Sequence, residues 1–395
     1  MGEVLAPQTP DDLAATIRRA IAEQMPLEVM GSGTKRALGR PMQTGAILDL
    51  SRFRGITLYE PEELVIAAGA ATPMSEIEAA LAEQGQELAF EPPDLSRLLG
   101  AADAGTLGGM LACNLSGPRR LKAGAARDHV LGIEGVSGRG EPFKAGGRVV
   151  KNVTGYDLAK LMTGSWGTLA ALTGITLKVL PSAEHEETLL VPGQSPGEAI
   201  QSMSLAMQSP CEVSGAAYLP EDVAGSCGLD HAATLLRLEG IAPSVAYRRD
   251  KLMALLSPSG RCDVLPVEPS RRLWRALRDL HPLCDEPERH LWRISVPPSE
   301  GARLATALPG ARYYLDWAGG LVWLALTPAA DAGAAALRSL IREGHATLIR
   351  APGNIRAAVP VFQPQPEALA ALTARVKQAF DPAAILNPGR MYAGV

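Results

Sequence analysis

The feature that constrains this chain most is the placement of its glycines. Three clusters fall between residues 31 and 168: Gly31-Ser32-Gly33-Thr34-Lys35-Arg36, Gly105-Thr106-Leu107-Gly108-Gly109 and Gly164-Ser165-Trp166-Gly167-Thr168. Gly117-Pro118, Gly124 and Gly146-Gly147 lie between the last two. Leu27-Glu28-Val29-Met30 reads as a strand, and the first cluster follows it at once. A glycine loop directly after a strand offers bare backbone N–H groups and close approach, which is how proteins cradle phosphates. The dinucleotide fingerprint of doubly wound folds needs a third glycine and then a helix; here position 36 is Arg, and the chain runs on to Pro41 and another strand. The P-loop ending, Gly-Lys-Ser/Thr, is absent. An anion-cradling loop outside both classes remains, beside the plainer reading of a turn.

Three separate glycine loops make one shared ligand the better account. A flat, buried, dianionic molecule such as FAD needs backbone clearance in several places, which small residues supply. Around these loops the chain alternates strands and helices. Thr9-Pro10-Asp11-Asp12 is a helix start with Thr9 as cap, and Thr72-Pro73 repeats the signal. Strands are expected at residues 46–50, 64–67 and 174–180. Residues 181–200 are polar and punctuated by Gly and Pro, and read as a linker. Strand-like runs at 234–238, 292–296 and 321–326 then suggest a smaller α+β domain. A helix over 369–380 precedes the tail. With 395 residues, two or three domains are expected. The spans are 1–183, 184–345 and 346–395, the last returning to the first.

Several classes are excluded by composition. Lys and Arg total 38 against 42 Asp and Glu, so no nucleic-acid or polybasic membrane partner is indicated. No secretory signal is visible and no run approaches the ~18 apolar residues of a membrane span, so a cytoplasmic chain is expected, with any membrane contact made through partners. The five cysteines include no Cys-x-x-Cys pair, which argues against an iron–sulfur cluster on this chain.

The ordered motifs resemble the vanillyl-alcohol-oxidase or PCMH type of FAD-binding flavoproteins, and within it the FAD-binding E-type subunits of bacterial glycolate oxidases. The stretches that carry the resemblance are Asp49-Leu50-Ser51-Arg52-Phe53-Arg54-Gly55-Ile56, Leu88-Ala89-Phe90-Glu91-Pro92-Pro93, the second glycine cluster, Leu115-Ser116-Gly117-Pro118-Arg119-Arg120 and Gly124-Ala125-Ala126-Arg127-Asp128. Residues 146–158, the third glycine cluster and Leu386-Asn387-Pro388-Gly389-Arg390 complete it. The resemblance implies an α+β fold: a two-lobed FAD-binding domain, an α+β cap domain and a returning tail. It also implies roles by position. Gly31, Ser32, Gly33, Thr34, Lys35 and Arg36 would hold the pyrophosphate. Pro92, Pro93, Gly105, Thr106, Leu107, Gly108 and Gly109 would line the pyrophosphate and isoalloxazine side. Gly117, Gly124 and Arg127 would continue the pocket, while Asn152 and Tyr156 could approach the flavin. Gly164, Gly167, Thr168 and Ile175 would pack near the adenosine, and Asn387 and Arg390 would return towards the ring. The first loop has no His, and Cys113 reads as a structural thiol, so the FAD is expected to be non-covalent.

Oxidation of a 2-hydroxy acid needs a base near neutral pKa and an Arg for the carboxylate. Relatives that perform it carry closely spaced histidines in the cap. Here the six histidines include no close pair; His281 and His290 are nearest. His290, Arg293 and Trp317 are weak candidates near cap strands; Arg293 reads more simply as a salt-bridged surface residue and the Trp residues as cap-domain core. Arg248-Arg249 and Arg271-Arg272 read as solvated helix faces. The expectation is an FAD subunit of a glycolate oxidase-like complex, beside a second hydroxy-acid-oxidising flavoprotein and an iron–sulfur subunit. A free-standing 2-hydroxy acid dehydrogenase and a non-catalytic scaffold are the alternatives.

Overall fold

The computed structural model describes residues 3–148 and 155–395; Lys151 and the expected flavin neighbour Asn152 lie outside the described residues. The chain forms two compact units. The first is built from Met1–Leu115, Ala125–Pro181 and Pro364–Val395, the second from Ser116–Gly124 and Ser182–Gln363.

The first unit has two lobes. In one, strands Glu3–Leu5, Ala46–Asp49 and Leu27–Met30 form a parallel sheet in that order. Helix Pro10–Ala22 covers it. Thr9 starts this helix with a reciprocal cap: its hydroxyl accepts from Asp12 N and its own N–H donates to Asp12 Oδ2, both at 3.1 Å. Leu13, Ile17 and Ala20 are then buried against Leu27, Leu48 and Leu386. In the other lobe, Ile56–Glu60, Val65–Gly69, Ala170–Lys178, Val130–Ser137 and Pro142–Gly146 form an antiparallel sheet in that order. Helix Met74–Glu83 packs Ile77 and Leu81 into its core. Here Thr72 is not the cap. Its hydroxyl donates to Gly69 O at 2.7 Å and accepts from Gly55 N at 2.9 Å, so Pro73 takes the cap position.

The second unit is an eight-stranded antiparallel sheet. Its order is Asp263–Leu265, His185–Pro192, Ala233–Gly240, Gly215–Leu219, Arg312–Asp316, Leu321–Leu326, His290–Ser295 and His345–Arg350. The expected linker is overturned here. His185–Pro192 pairs along its whole length with Ala233–Gly240, and helix Pro196–Gln208 follows. The acidic residues that suggested a linker are absorbed by the fold: Glu186 is buried and accepts from the Ser270 hydroxyl at 2.6 Å. Because His345–Arg350 is a strand of this sheet, the tail that belongs to the first unit begins at Pro364 rather than at 346. Arg248 is also buried, donating to Glu239 O at 2.6 Å and Cys211 O at 3.2 Å, so it is no solvated residue. Among the described residues, no helix is long and apolar enough to cross a membrane.

Candidate functional site

The parallel sheet delivers its central chemistry at the end of strand Leu27–Met30. The loop of residues 31–36 leaves that strand, and among the described residues the backbone N–H groups of Ser32, Gly33, Thr34 and Lys35 have no acceptor. Such groups must be satisfied by water or by a ligand. Arg36 does not point freely at this loop's concavity; its guanidinium grips Glu28 through two bonds of 2.7 and 2.5 Å. Lys35 Nζ donates to Ala104 O at 2.8 Å, and burial pulls its ammonium below the usual lysine range.

The second glycine cluster makes the opposing wall. Thr106 caps the short helix Leu107–Cys113, and its hydroxyl accepts from Gly109 N at 3.3 Å. Leu107 N and Gly108 N donate to Thr72 O and Ala70 O, which ties this start to the antiparallel sheet. Gly105 has φ +90°, and an added Cβ would lie 2.5 Å from Thr34 Oγ1 and 2.7 Å from Lys35 Nζ. Only glycine lets the two loops meet here.

The tail closes the third side. Asn387 Oδ1 accepts from Val29 N at 2.8 Å while its Nδ2 donates to Trp166 O at 2.8 Å. Gly167, at φ +71°, leaves the space: a Cβ there would sit 2.6 Å from Asn387 Nδ2. Arg390 Nη2 donates to Lys35 O at 2.8 Å. Lys377 anchors the whole return. Its buried ammonium donates to Thr168 O, Asp381 Oδ2 and Leu386 O at 2.7, 2.7 and 2.9 Å, using all three protons.

Two adjoining clefts, of about 550 and 560 Å³, result. Gly31, Thr106, Gly109, Trp166 and Asn387 line both. Ser32, Gly33, Thr34, Lys35, Arg36 and Arg390 line the first, and Gly108 and Gly167 the second. The remaining sequence candidates lie elsewhere. Gly105 and Leu107 support the wall from behind, and Thr168 is buried with its hydroxyl on Ser165 O. Gly164 packs on Asn114, and Pro92, Pro93 and Arg127 line neither cleft. Ile175 lines a separate cleft of about 870 Å³ on the antiparallel sheet. Tyr156 is 91% exposed. Gly117 and Gly124 belong to the second unit. Sequence reasoning missed Trp166, Met42, Ala112 and Glu28 as wall residues, and it missed Lys377 altogether. Trp166 had a signal in its position between Gly164 and Gly167; Lys377 had none.

The groups present fit a flavin dinucleotide: free N–H groups and the basic Lys35 and Arg390 suit a pyrophosphate, and small residues stand wherever backbone must come close. Cys113 also lines the first cleft, but burial pushes its thiol up, against the pull of Lys35 and Arg390.

In the second unit, the structure brings Arg293 to Trp317, its guanidinium 5.0 Å from the ring centre. His290 is not with them. It stands three residues earlier on the same strand, hence on the other face, buried near Asp331. Burial and Arg350 hold its imidazole below the usual histidine range. Among the described residues, no group of three or more His, Cys, Asp or Glu could hold a metal ion.

Comparison with known proteins places this geometry. Residues 3–146 match the model of an FAD binding domain. Glycolate oxidase subunit GlcE of Escherichia coli is 37% identical over 96% of this chain and 97% of its own length. The chain belongs to the glycolate oxidase E-subunit family. Glycolate oxidase subunit GlcD of Bacillus subtilis is 31% identical to this family member over 51% of the chain and 42% of its own length. The p-cresol methylhydroxylase structure shares the fold, with a TM-score of 0.73 at 15% identity over 98% of this chain and 88% of that one.

Proposed function

We propose that this chain is the FAD-binding subunit of a glycolate oxidase-like complex, taking part in oxidation of a 2-hydroxy acid to a 2-oxo acid. The observation that carries the reading is the cleft in which four free N–H groups of one loop face Thr106, Gly109 and Asn387, in a chain that matches an E subunit over nearly its full length. A bound flavin would supply acceptance of a hydride and onward transfer of electrons. The chain's own part is to hold it: residues 32–35 and Arg390 on the pyrophosphate, Thr106 and Gly109 beside it, and the apolar wall of Ala112, Trp166 and Val29 keeping water out. The raised Cys113 thiol supports non-covalent attachment, since a thiolate is the nucleophile a tether requires.

Dependence on partners is supported by the second unit, where His290 is turned away from Arg293 and no paired histidines stand by as a base. The partners are a second flavoprotein subunit that oxidises the acid and an iron–sulfur subunit that carries electrons to a membrane acceptor. The protein acts on the cytoplasmic side, touching the membrane only through them. The test is purification of the chain with added FAD, followed by its visible spectrum, acid precipitation and addition of glycolate without oxygen. Flavin absorbance near ~450 nm that passes to the acid supernatant is expected, with no bleaching by glycolate. A colourless protein overturns the flavin reading, flavin in the pellet overturns non-covalent binding, and bleaching by glycolate overturns dependence on a partner.

A further inference from the structure

The second unit contains a cationic cluster, Arg120 and Arg293, gathered at one indole. Arg293 sits on strand His290–Ser295, opposite Trp323 on one neighbouring strand and Thr347 on the other. Directly paired residues share a face, so Arg293, Trp323 and Thr347 project together, as do Ser295 and His345. The Arg293 guanidinium lies 5.0 Å from the Trp317 ring and 6.0 Å from the Trp323 ring. Its Nε is buried and has no hydrogen-bond partner. Burial, with Arg120 nearby, pulls the group down to about 10, and only Asp316 opposes this. A buried N–H left without an acceptor is costly unless a ligand supplies one.

A second cation is brought to the same indole. Arg120 stands over Trp317 at 4.4 Å. It belongs to Ser116–Gly124, a nine-residue excursion that packs with the second unit although its flanks belong to the first. The excursion is pinned on both sides of Arg120. Trp317 Nε1 donates to Gly117 O at 3.0 Å. Arg119 forks onto Glu239 at 2.7 and 3.1 Å. Lys122 reaches Glu212 at 3.1 Å. Between these pins Arg120 itself stacks on the indole. Trp317 and Ala318 hold successive left-handed backbones, φ +51° and +55°, a strain kept in place by Asp316, which accepts from Trp317 N at 2.7 Å. His345 feels both guanidiniums, which with burial lower its pKa.

We propose that Arg120 and Arg293, which share the Trp317 ring as a contact, form a binding site for a small organic carboxylate. This rests on the proposed function for the choice of ligand, a 2-hydroxy acid or its 2-oxo product. Two guanidiniums offer the paired donors that a planar carboxylate accepts, and the indoles supply an apolar wall for a short carbon chain.

Calorimetric titration of the full-length protein with oxalate, a carboxylate analogue that cannot be oxidised in this way, tests the site. Saturable binding is expected, weakened at least tenfold in Arg293→Lys, which keeps the charge but loses the fork, and several-fold in Arg120→Gln. Arg120 is exposed, so its variant reports even if Arg293→Lys does not fold. Absence of binding, unchanged affinity in both variants, or phosphate binding as tightly as oxalate overturns the proposal. Flavin absorbance of the same samples separates the two readings: a yellow protein that ignores oxalate sinks the carboxylate site alone, and a colourless protein that binds oxalate sinks the flavin reading alone.

Discussion

The two units recruit charge in opposite ways. In the first, the surface of the candidate cleft is mostly main chain: free N–H groups, glycines that let loops touch, and a tail whose Asn387 bonds to backbone on both sides. In the second, the cationic surface is side chain, displayed by strand register and by a pinned excursion. A main-chain site is written in local sequence, because glycine is demanded wherever backbone must bend or approach. A side-chain site depends on which strands become neighbours, and that is decided far along the chain.

The contrast can be broken or sharpened experimentally. The largest effect is expected at the tail anchor. Lys377→Met leaves Asp381 buried without its cation, which costs about 3–5 kcal/mol and is read as a lower midpoint in urea unfolding. A variant of wild-type stability would show that the tail does not hold the first unit together.

Next comes Glu239, the carboxylate that pins the excursion. Burial by itself would raise its pKa, but Arg237 and Arg119 hold it down at about 2. A depressed carboxylate stabilises the fold above its unfolded pKa, and the contribution fades as pH falls towards about 2. Glu239→Gln is therefore expected to lose roughly 3 kcal/mol at pH 7. The gap to wild type should narrow on acidification below about pH 4.5. A gap independent of pH would show that the pair is not the source.

Gly105→Ala is expected to cost flavin affinity about tenfold, from 1–2 kcal/mol of left-handed strain and the collision with Thr34, measured by equilibrium dialysis. An alanine variant that binds flavin normally would show that position 105 does not require glycine. The smallest effect belongs to Arg36→Gln. Its side chain is half-exposed and its ion pair with Glu28 lies at the cleft's rim, so a stability change below about 1 kcal/mol is expected.

How legible each part was follows the same physics. The cap at Thr9, the strand Leu27–Met30 with its loop and the strand Leu321–Leu326 could be read directly, because their signals span a few residues. His185–Pro192 could not, since its Glu186 and Glu187 look like solvent residues until Ser270 and Arg249 meet them 84 and 62 positions away. Arg248 hid for the same reason: its acceptors are carbonyls supplied by other elements. The excursion around Arg120 was invisible because nothing local distinguishes a turn that stays home from one that crosses to another core. His345 needed the register of its strand against His290–Ser295.

The bond from Arg390 to Lys35 spans 355 residues of chain. At ~5–20 residues per second a ribosome needs roughly 20–70 s to bridge that interval. During this time the glycine loop exists without the wall that shuts it. The cleft is therefore assembled across a long interval of chain, and its last wall arrives well after its first loop.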